Sequence, residues 1–519
     1  MPSTALRPRR SLVALVVIAA ATIAARLPFL LRADRFFDAD EAVEGLMARH
    51  VLQGEHPLFL WGQRYKGVPE VYLSAAVFRA VSPSVVALKA VTLACFVVFV
   101  CLNFRLLERV CSRGVAWIAT ALLIAGPPSL VLWSMSGSAE IVMTFVAGTV
   151  LLLAIEAALK GSPYSIYIAA AAFGFGLWIQ QFILYYVVSI AVTAAIVTPG
   201  LRATLRQRVR ARVPAWIRPI LLALAVVAAV YLLLGLIAFF GAGIQTHVVG
   251  VNVTATHPQK MWWLAGVFLA TAAAIVAGCV FRARLLGPSL AFLAGYAPAL
   301  IGRFGNHGMG APISRLDATT LRAALPDITH VMLPILFGWR DPLARPTVYP
   351  ALAIVIVVIV AVSCWLVWRR TVTPFFLVFP LVAAAMFFVS GSYIDAQSYR
   401  YLMPIYATLP VVYAIGVVGL WRANRIAGAA MFTAAVLIFV AQQVSWYKQL
   451  GPDLESQRVL ACLDANATHA ARAGYWQSYK LTFLAGERII ISPIDGLNRY
   501  PAYDVITSGS RTVDQIDCR

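Results

Sequence analysis

The chain has 519 residues, of which 61% are hydrophobic and 12% are charged. Soluble domains are about 45–50% apolar and about 25% charged, so this composition excludes a soluble fold. The formal net charge is +20. In a soluble protein this charge would suggest a nucleic-acid partner, but in a membrane protein it can arise from basic cytoplasmic loops.

Apolar runs long enough to cross a bilayer recur along most of the chain. The hydrocarbon core is about 30 Å thick and a helix rises about 1.5 Å per residue, so a run of about 18 apolar residues predicts a span. On this rule we predict an all-α polytopic membrane protein with about thirteen transmembrane helices. The spans lie near residues 11–31, 85–104, 115–133, 139–159, 164–181, 182–199, 219–241, 261–281, 286–302, 347–368, 374–391, 402–421 and 425–446.

The positions of the basic residues predict the orientation. If the N-terminus with Arg7, Arg9 and Arg10 is cytoplasmic, the loops on that side carry nearly all of the basic excess and a single acid, Glu108. This bias favours an odd number of spans, with the C-terminus periplasmic or extracellular, in a bacterial inner membrane. The charge is then an orientation signal, and the topology excludes a nucleic-acid partner.

Three segments on the predicted outer side are too long to be turns, namely 32–84, 303–346 and 447–519. The last has a soluble composition, and Lys480 to Ser492 favours short strands, so we predict a small α+β outer domain after a transmembrane module over 1–446. Cys462 and Cys518 lie in that domain, where the compartment is oxidising. We expect them to form a disulfide, and two free thiols are the alternative.

Acidic residues gather directly after the first span, in the first outer segment. From Asp40 onward, apolar residues at helical spacing predict a helix lying on the outer surface with its apolar face toward lipid. Asp38 as N-cap, with Glu41 three residues later, matches a capping box. Capping explains these two acids but leaves Asp40 without a structural reason.

Cations and aromatic residues follow in the same segment. Arg64, Tyr65 and Lys66 stand close to the acids in the chain. Cations at a membrane interface bind phosphate well, and lipid headgroups supply it. The alternative is that these side chains only anchor the loop, by snorkelling and as an aromatic belt.

These features together resemble the GT-C superfamily of integral-membrane glycosyltransferases, which includes protein O-mannosyltransferases and lipid A aminoarabinose transferases. The shared elements are a first span, an outer Asp-Glu pair, a surface helix and a Tyr-Lys-Gly segment that leads into the second span. A second match is Tyr399-Arg400-Tyr401-Leu402-Met403-Pro404, which is similar to the Arg-Tyr-Leu-Leu-Pro motif that opens a late span. The likeness of architecture covers nearly the whole chain, and the motifs cover mostly 34–90 and 398–410.

The resemblance implies transfer of a sugar from a polyprenyl-phosphate carrier to an acceptor hydroxyl on the extracytoplasmic face, with inversion of the anomeric carbon. It assigns Asp40 as general base, since a hydroxyl is a poor nucleophile until a carboxylate takes its proton. Asp38 and Glu41 would orient that base. Fixed cations must stabilise the leaving phosphate, and the resemblance assigns this to Arg400 and Lys66. Arg64 could take the role of Lys66.

Three further residues complete the predicted site. Glu140 falls where the superfamily has a second acid in its second outer loop, although a solvated acid at a helix start is the alternative. Tyr65 and Tyr399 join the residues expected to bind the phosphate and its lipid carrier. We predict no metal site and no certain cofactor, and a divalent ion at Asp38 and Asp40 stays open because some members of the superfamily use one.

The alternative function is a transporter or flippase of lipid-linked sugars. Transporters place polar groups near the bilayer midplane, often on broken helices. In this sequence the acids gather at the predicted outer boundary, which favours chemistry at the surface. The expected partners are the bilayer, a polyprenyl-phosphate-linked sugar and an acceptor that can be a glycan, a lipid or a protein of the cell envelope.

Overall fold

Helices make up most of the described chain. The structure, a computed structural model, describes residues 8–137, 140–198, 200, 207, 209–241, 243–248, 251–281, 285–303, 316–338, 340, 358, 361–363, 365, 374–391 and 396–516. The helices of the first half are α1 (Pro8–Leu30), α2 (Ala39–Leu52), α3 (Pro69–Ala80), α4 (Val85–Val110), α5 (Arg113–Ala125), α6 (Pro128–Trp133), α7 (Ile141–Leu159), α8 (Ser165–Ile179), α9 (Ile183–Val197) and α10 (Arg218–Phe240).

The second half continues this helical pattern. Its helices are α11 (Pro258–Phe281), α12 (Leu286–Arg303), α13 (Ala318–Asp327), α14 (Leu333–Leu336), α15 (Phe375–Ser390), α16 (Leu409–Ala423), α17 (Arg425–Gln449), α18 (Leu454–Ala465), α19 (Tyr475–Leu484) and α20 (Pro501–Ile506). Short 3-10 helices cover Ala33–Phe36, Ala215–Ile217, Ala396–Ala407 and Val513–Ile516, and a π-helical turn covers Ile328–Met332.

Three two-stranded sheets accompany the helices in the described ranges. Strands β1 (Phe59–Leu60) and β2 (Gln63–Gly67) form an antiparallel hairpin in the first loop, by which we mean residues 32–84. A second antiparallel hairpin pairs β3 (Ile244–Val248) with β4 (Val251–Ala255). Strands β5 (Ala470–Ala473) and β6 (Ile490–Pro493) run parallel in residues 454–516, which we call the C-terminal segment.

The helices follow the predicted spans, with two corrections. By length and apolarity, six helices within the described residues can cross a membrane, or seven if the pair Gln397–Ala407 and Leu409–Ala423, bent by 51°, counts as one. Five further apolar helices are shorter, at 10–17 residues. The total of thirteen therefore stays a prediction. The predicted span near 347–368 lies mostly outside the described residues.

The first correction concerns residues 115–133, which do not form one continuous helix. α5 ends at Ala125 and α6 begins at Pro128. Gly126 and Pro127 separate them, and a proline ring removes a backbone donor and clashes with the preceding helical turn. By contrast, the expected break between 164–181 and 182–199 is present, because Gln180 stands between α8 and α9.

The second correction concerns the span predicted at 402–421. Residues Ala396–Ala407 form a 3-10 helix, and α16 begins only at Leu409 with Pro410 in its first turn. Proline is well suited to the first turn of a helix and poorly suited to its interior, which places the α-helical start at this point. The Arg400 motif therefore lies before α16 and not within it.

The apolar face of α2 is covered by protein, so the expectation that it faces lipid is wrong. Val43, Leu46 and Met47 are buried in an apolar core that joins the first loop to the C-terminal segment. In that core the ring of Phe483 lies directly against Gly45, where an added Cβ would come within 2.5 Å of it. The first loop and the C-terminal segment are thus packed together.

The C-terminal segment also has a small core of its own, built from α18, α19 and the two strands. Of the short strands expected over Lys480 to Ser492, the part from Ile490 is confirmed as β6. The part at Lys480 is wrong, because Tyr475–Leu484 is helical and turns its aromatic residues onto α2. Residues spaced by four lie on one helix face, and packing on α2 therefore outweighs the local preference for a strand. Cys462 is disulfide-bonded, and Cys518 lies outside the described residues, so their pairing stays a prediction.

Candidate active site

The N-terminus of α2 is capped as its sequence predicts. The Oδ1 atom of Asp38 accepts a hydrogen bond from the backbone N–H of Glu41 at 2.9 Å. Burial, together with the negative charges of Glu41 and Asp40, raises the pKa of Asp38 to about 7. The reciprocal half of the capping box is absent in this helix, because the Glu41 side chain has another partner.

That partner is Lys89 of α4. Its Nζ atom lies 2.7 Å from Oε1 and 2.6 Å from Oε2 of Glu41, and both side chains are buried. The pair ties the first turn of α2 to the second long helix. Glu41 is therefore paired with its own buried cation, and this pair holds the first turn of α2.

Asp40 lies two residues after Asp38 and faces three basic groups, Lys66, Arg400 and Arg499. Its Oδ2 lies 3.5 Å from a guanidinium nitrogen of Arg400, and its Oδ1 lies 3.4 Å from one of Arg499. The hydroxyl of Tyr475 donates a hydrogen bond to Oδ1. The Asp40 side chain keeps 15% of its surface exposed, so a substrate hydroxyl can reach it.

The electrostatics of Asp40 favour its ionised form. Burial alone would raise the pKa of this carboxyl, but the positive charges of Lys66, Arg400 and Arg499 and the hydrogen bond from Tyr475 together hold it below its ordinary value. A carboxylate that stays ionised near neutral pH and remains reachable can accept a proton.

Lys66 lies on β2 and is buried beside Asp40. Burial lowers the pKa of this lysine to about 8; Arg400 and Arg499 act in the same direction, and Asp40 opposes them. The neighbouring Tyr65 is also near the site, and its burial raises the pKa of the phenol to about 12. The backbone of Arg64 lies in the same strand, but its side chain lies outside what the structure describes.

Arg400 reaches Asp40 from the 3-10 helix that precedes α16. Its guanidinium also donates to the hydroxyl of Tyr401 at 3.4 Å. A quarter of the Arg400 side chain is exposed, so its remaining donors are accessible. Tyr399 is buried, and its hydroxyl accepts a hydrogen bond from the indole N–H of Trp133 at 3.3 Å. The contact with Trp133 joins the Arg400 motif to the end of α6.

Glu140 belongs to a separate group of buried acids. It precedes α7 with φ at 52°, a left-handed conformation that is uncommon for any residue other than glycine. Its side chain is fully buried, and neither carboxylate oxygen has a hydrogen-bond partner among the described residues. The acids that interact with it electrostatically are Glu44 and Glu70, and Lys66 opposes them.

Glu44 and Glu70 converge on Gly137. A Cβ added there would lie 2.3 Å from one carboxylate oxygen of Glu44 and 2.7 Å from one of Glu70. Burial and the charge of Glu70 raise the pKa of Glu44 well above its ordinary value. Burial also raises the pKa of Glu70 to about 8, against a hydrogen bond that Thr92 donates at 3.0 Å. The raised pKa of each carboxyl favours its protonated form.

The structure thus brings Asp40, Lys66 and Arg400 together and places Glu140 in a second group of buried acids that also interacts with Lys66. Sequence reasoning missed Tyr475 and Arg499, which come from the C-terminal segment. No periodicity or motif in that segment indicates a contact with Asp40. Among the described residues, no group of three His, Cys, Asp or Glu side chains has the arrangement of a metal site.

No protein-family model and no curated protein matches the chain. Solved structures that it resembles include the oligosaccharyltransferase of Archaeoglobus fulgidus in complex with Zn and sulfate, with 14% identity and a TM-score of 0.48 over 93% of this chain and 62% of that one. Another is ArnT from Cupriavidus metallidurans bound to undecaprenyl phosphate, with 12% identity and a TM-score of 0.38 over 96% of this chain and 90% of that one. The chain therefore spans 62% of the length of the archaeal protein.

Proposed function

We propose that this protein is a membrane glycosyltransferase of the GT-C type, which moves a sugar from a polyprenyl-phosphate carrier to an acceptor hydroxyl on the extracytoplasmic face with inversion. The observation that carries this proposal is the meeting of Asp40 with Lys66 and Arg400. A reachable carboxylate beside two cations is what a hydroxyl nucleophile and a phosphate leaving group require. The acceptor can be a glycan, a lipid or a protein.

Asp40 takes the acceptor proton in this mechanism. As the acceptor oxygen bonds to the anomeric carbon, its proton moves to the carboxylate, and the bond from that carbon to the phosphate oxygen breaks. The pKa of Asp40, held low by its cations, keeps the carboxylate ready near neutral pH. One base and one displacement lead to inversion, because no enzyme nucleophile enters the reaction.

Lys66 and Arg400 stabilise the departing phosphate. Charge grows on the phosphate oxygens as the glycosidic bond breaks, and cations already fixed in a partly dehydrated site stabilise it without reorganisation. Guanidinium groups suit this task because their planar fork matches phosphate oxygens. Arg400 retains exposed surface toward which a headgroup can approach.

The alternative of a transporter is less well supported by the polar groups of the helices. Arg26 of α1 is buried, but it donates to the backbone carbonyls of Leu123 and Ile124 at the end of α5 and to Ser134. It therefore caps the break between α5 and α6 and does not line a path. The reactive groups gather instead in the first loop, the Arg400 motif and the C-terminal segment.

The experiment measures consumption of a labelled polyprenyl-phosphate sugar in proteoliposomes supplied with a bacterial cell-envelope extract, whose glycans, lipids and proteins provide acceptor hydroxyls. Wild type should release sugar-free polyprenyl phosphate, and Arg400→Gln should release it far more slowly. Arg425→Gln is the control, since Arg425 is exposed at the start of α17. Movement of the intact lipid-linked sugar across the bilayer without its consumption would overturn the proposal in favour of a transporter.

A further inference from the structure

The C-terminal segment places two side chains on Asp40. Tyr475, the first residue of α19, is buried and donates its hydroxyl proton to Oδ1 of Asp40. The Nε atom of Arg499 donates to the Tyr475 oxygen at 3.0 Å, and another nitrogen of the same guanidinium lies 3.4 Å from Oδ1. The three side chains form a closed triangle of hydrogen bonds.

Both side chains are fixed by contacts within the segment. The backbone N–H of Tyr475 donates to the carboxylate of Asp495 at 2.9 Å. The backbone N–H of Arg499 donates to the hydroxyl of Tyr479 at 2.6 Å. The triangle is thus built before any substrate arrives, and its position relative to α2 is set by the packed core that joins the first loop to the C-terminal segment.

The two oxygens of Asp40 have different surroundings. Oδ1 is occupied by Tyr475 and Arg499, whereas Oδ2 has Arg400 at 3.5 Å. A carboxylate oxygen accepts more than one hydrogen bond, so Oδ2 can accept one from an entering hydroxyl beside Arg400. This arrangement leaves Oδ2 for the acceptor.

We propose that Tyr475 and Arg499 are positioning residues for the general base, which makes the C-terminal segment a working part of the active site. This inference rests on the proposed function. The two side chains keep Asp40 ionised through Oδ1 and turn Oδ2 toward the acceptor, whose proton moves to Oδ2 during transfer. They act through Asp40 and do not contact the reacting atoms.

The test is the pH dependence of kcat/KM. The groups that face Asp40 are Asp38 and Glu44 of its own helix, Tyr65 and Lys66 of β2, Arg400 of the 3-10 helix, and Tyr475 and Arg499 of the C-terminal segment. Tyr475→Phe removes only the hydroxyl, whereas Arg499→Gln removes the charge together with the guanidinium donors. Each removes stabilisation of the carboxylate, so the acid limb should move upward by about one pH unit.

Two further variants separate positioning from a structural role. Arg499→Lys keeps the positive charge and should restore part of the wild-type profile. Tyr500→Phe is the matched control, because the Tyr500 hydroxyl donates to Glu55 at 2.8 Å in the same interface. It should leave the acid limb where it is in wild type.

A second readout does not need activity. Infrared difference spectra over a pH titration follow the carboxyl of Asp40, assigned by its loss in Asp40→Asn, and its midpoint should rise in Tyr475→Phe and in Arg499→Gln. If wild type consumes no donor, the proposed function fails while the infrared midpoints still decide this inference. If wild type is active and neither midpoint nor acid limb moves in these variants, the inference is wrong and the function stands.

Discussion

Lys89 of α4 binds both carboxylate oxygens of Glu41 on α2, at 2.7 and 2.6 Å, where both side chains are buried. This pair fixes the first turn of α2 on the helix bundle and so fixes Asp40, which precedes Glu41 in that turn. The geometry of the proposed base therefore depends on an ion pair that itself contacts no substrate.

Lys89→Met should destabilise the protein by about 3–5 kcal/mol, because it leaves the Glu41 carboxylate buried without its partner. The double variant Glu41→Gln with Lys89→Met should recover most of this loss, since removing both members of a buried pair is often close to neutral. Thermal unfolding of the purified protein in detergent measures both. Equal destabilisation in the single and the double variant would contradict the assignment of the pair.

The docking of the C-terminal segment on α2 gives a second prediction. A Cβ at residue 45 would meet the Phe483 ring at 2.5 Å, so Gly45→Ala should loosen the segment at a cost of about 1–3 kcal/mol. Limited proteolysis should then cut within 454–516 faster than in wild type. Gly451→Ala is the control, since no atom lies within 4 Å of its added Cβ. Equal cutting rates for the two variants would show that this close approach does not hold the segment in place.

The same interface should depend on pH through His50. Its ring lies 2.8 Å from a carboxylate oxygen of Glu55 and 2.9 Å from one of Glu487, and Tyr503 donates to Glu487 beside it. Burial lowers the pKa of His50, but the two glutamates outweigh burial, and the net pKa is raised. The stabilisation is therefore fully present below the unfolded pKa of about 6.5 and is lost as pH rises through the higher folded value.

Melting temperatures across about pH 5.5 to 9, a range that begins below the unfolded pKa of about 6.5 and extends well above it, measure this effect in wild type and His50→Gln. The advantage of wild type should be largest at the acidic end and should shrink as pH rises. An advantage that grows with pH would mean that His50 is neutral in the folded protein.

The contribution of Glu70 to stability also falls as pH rises, but from a lower starting pH than that of His50. Burial first, and the charge of Glu41 in addition, raise the pKa of Glu70 to about 8, so its ionisation opposes folding as pH rises from about 4.3. Glu70→Gln resembles the protonated form, and it should unfold at a higher temperature than wild type above pH 8. The difference should become small at pH 5, which a pH series of melting curves checks. A constant difference at all pH values would show that Glu70 does not titrate in this range.

Much of the fold can be predicted from local sequence, whereas the candidate site can be predicted only in part. Apolar runs locate the helices because their signal lies within each run, and the Asp38 cap depends on residues three apart. The breaks at Pro127 and before Leu409 were missed because the apolar runs continue through both positions. The Asp40, Lys66 and Arg400 group was predicted by resemblance to known motifs and is brought together in the structure.

The remaining parts of the site depend on contacts that sequence spacing does not encode. Tyr475 and Arg499 reach Asp40 only because α19 docks on α2, and that docking results from complementary shape at Gly45 and Phe483. α2 is also covered by protein on both sides. Its acids Glu41 and Glu44, which would be solvated on a surface helix, are therefore buried. A sequence read element by element contains no information on either event.

Asp40 is proposed as the general base of a sugar transfer, and the rate of transfer from polyprenyl-phosphate sugar by Asp40→Asn tests this role. This variant keeps the size of the side chain and removes the base, so the rate should fall about 10²–10⁴-fold with an unchanged amount of folded protein. Asp464→Asn, at an exposed ion pair with Arg488, is the matched control and should keep the wild-type rate. Transfer by Asp40→Asn at the wild-type rate would contradict the assignment of Asp40 as general base.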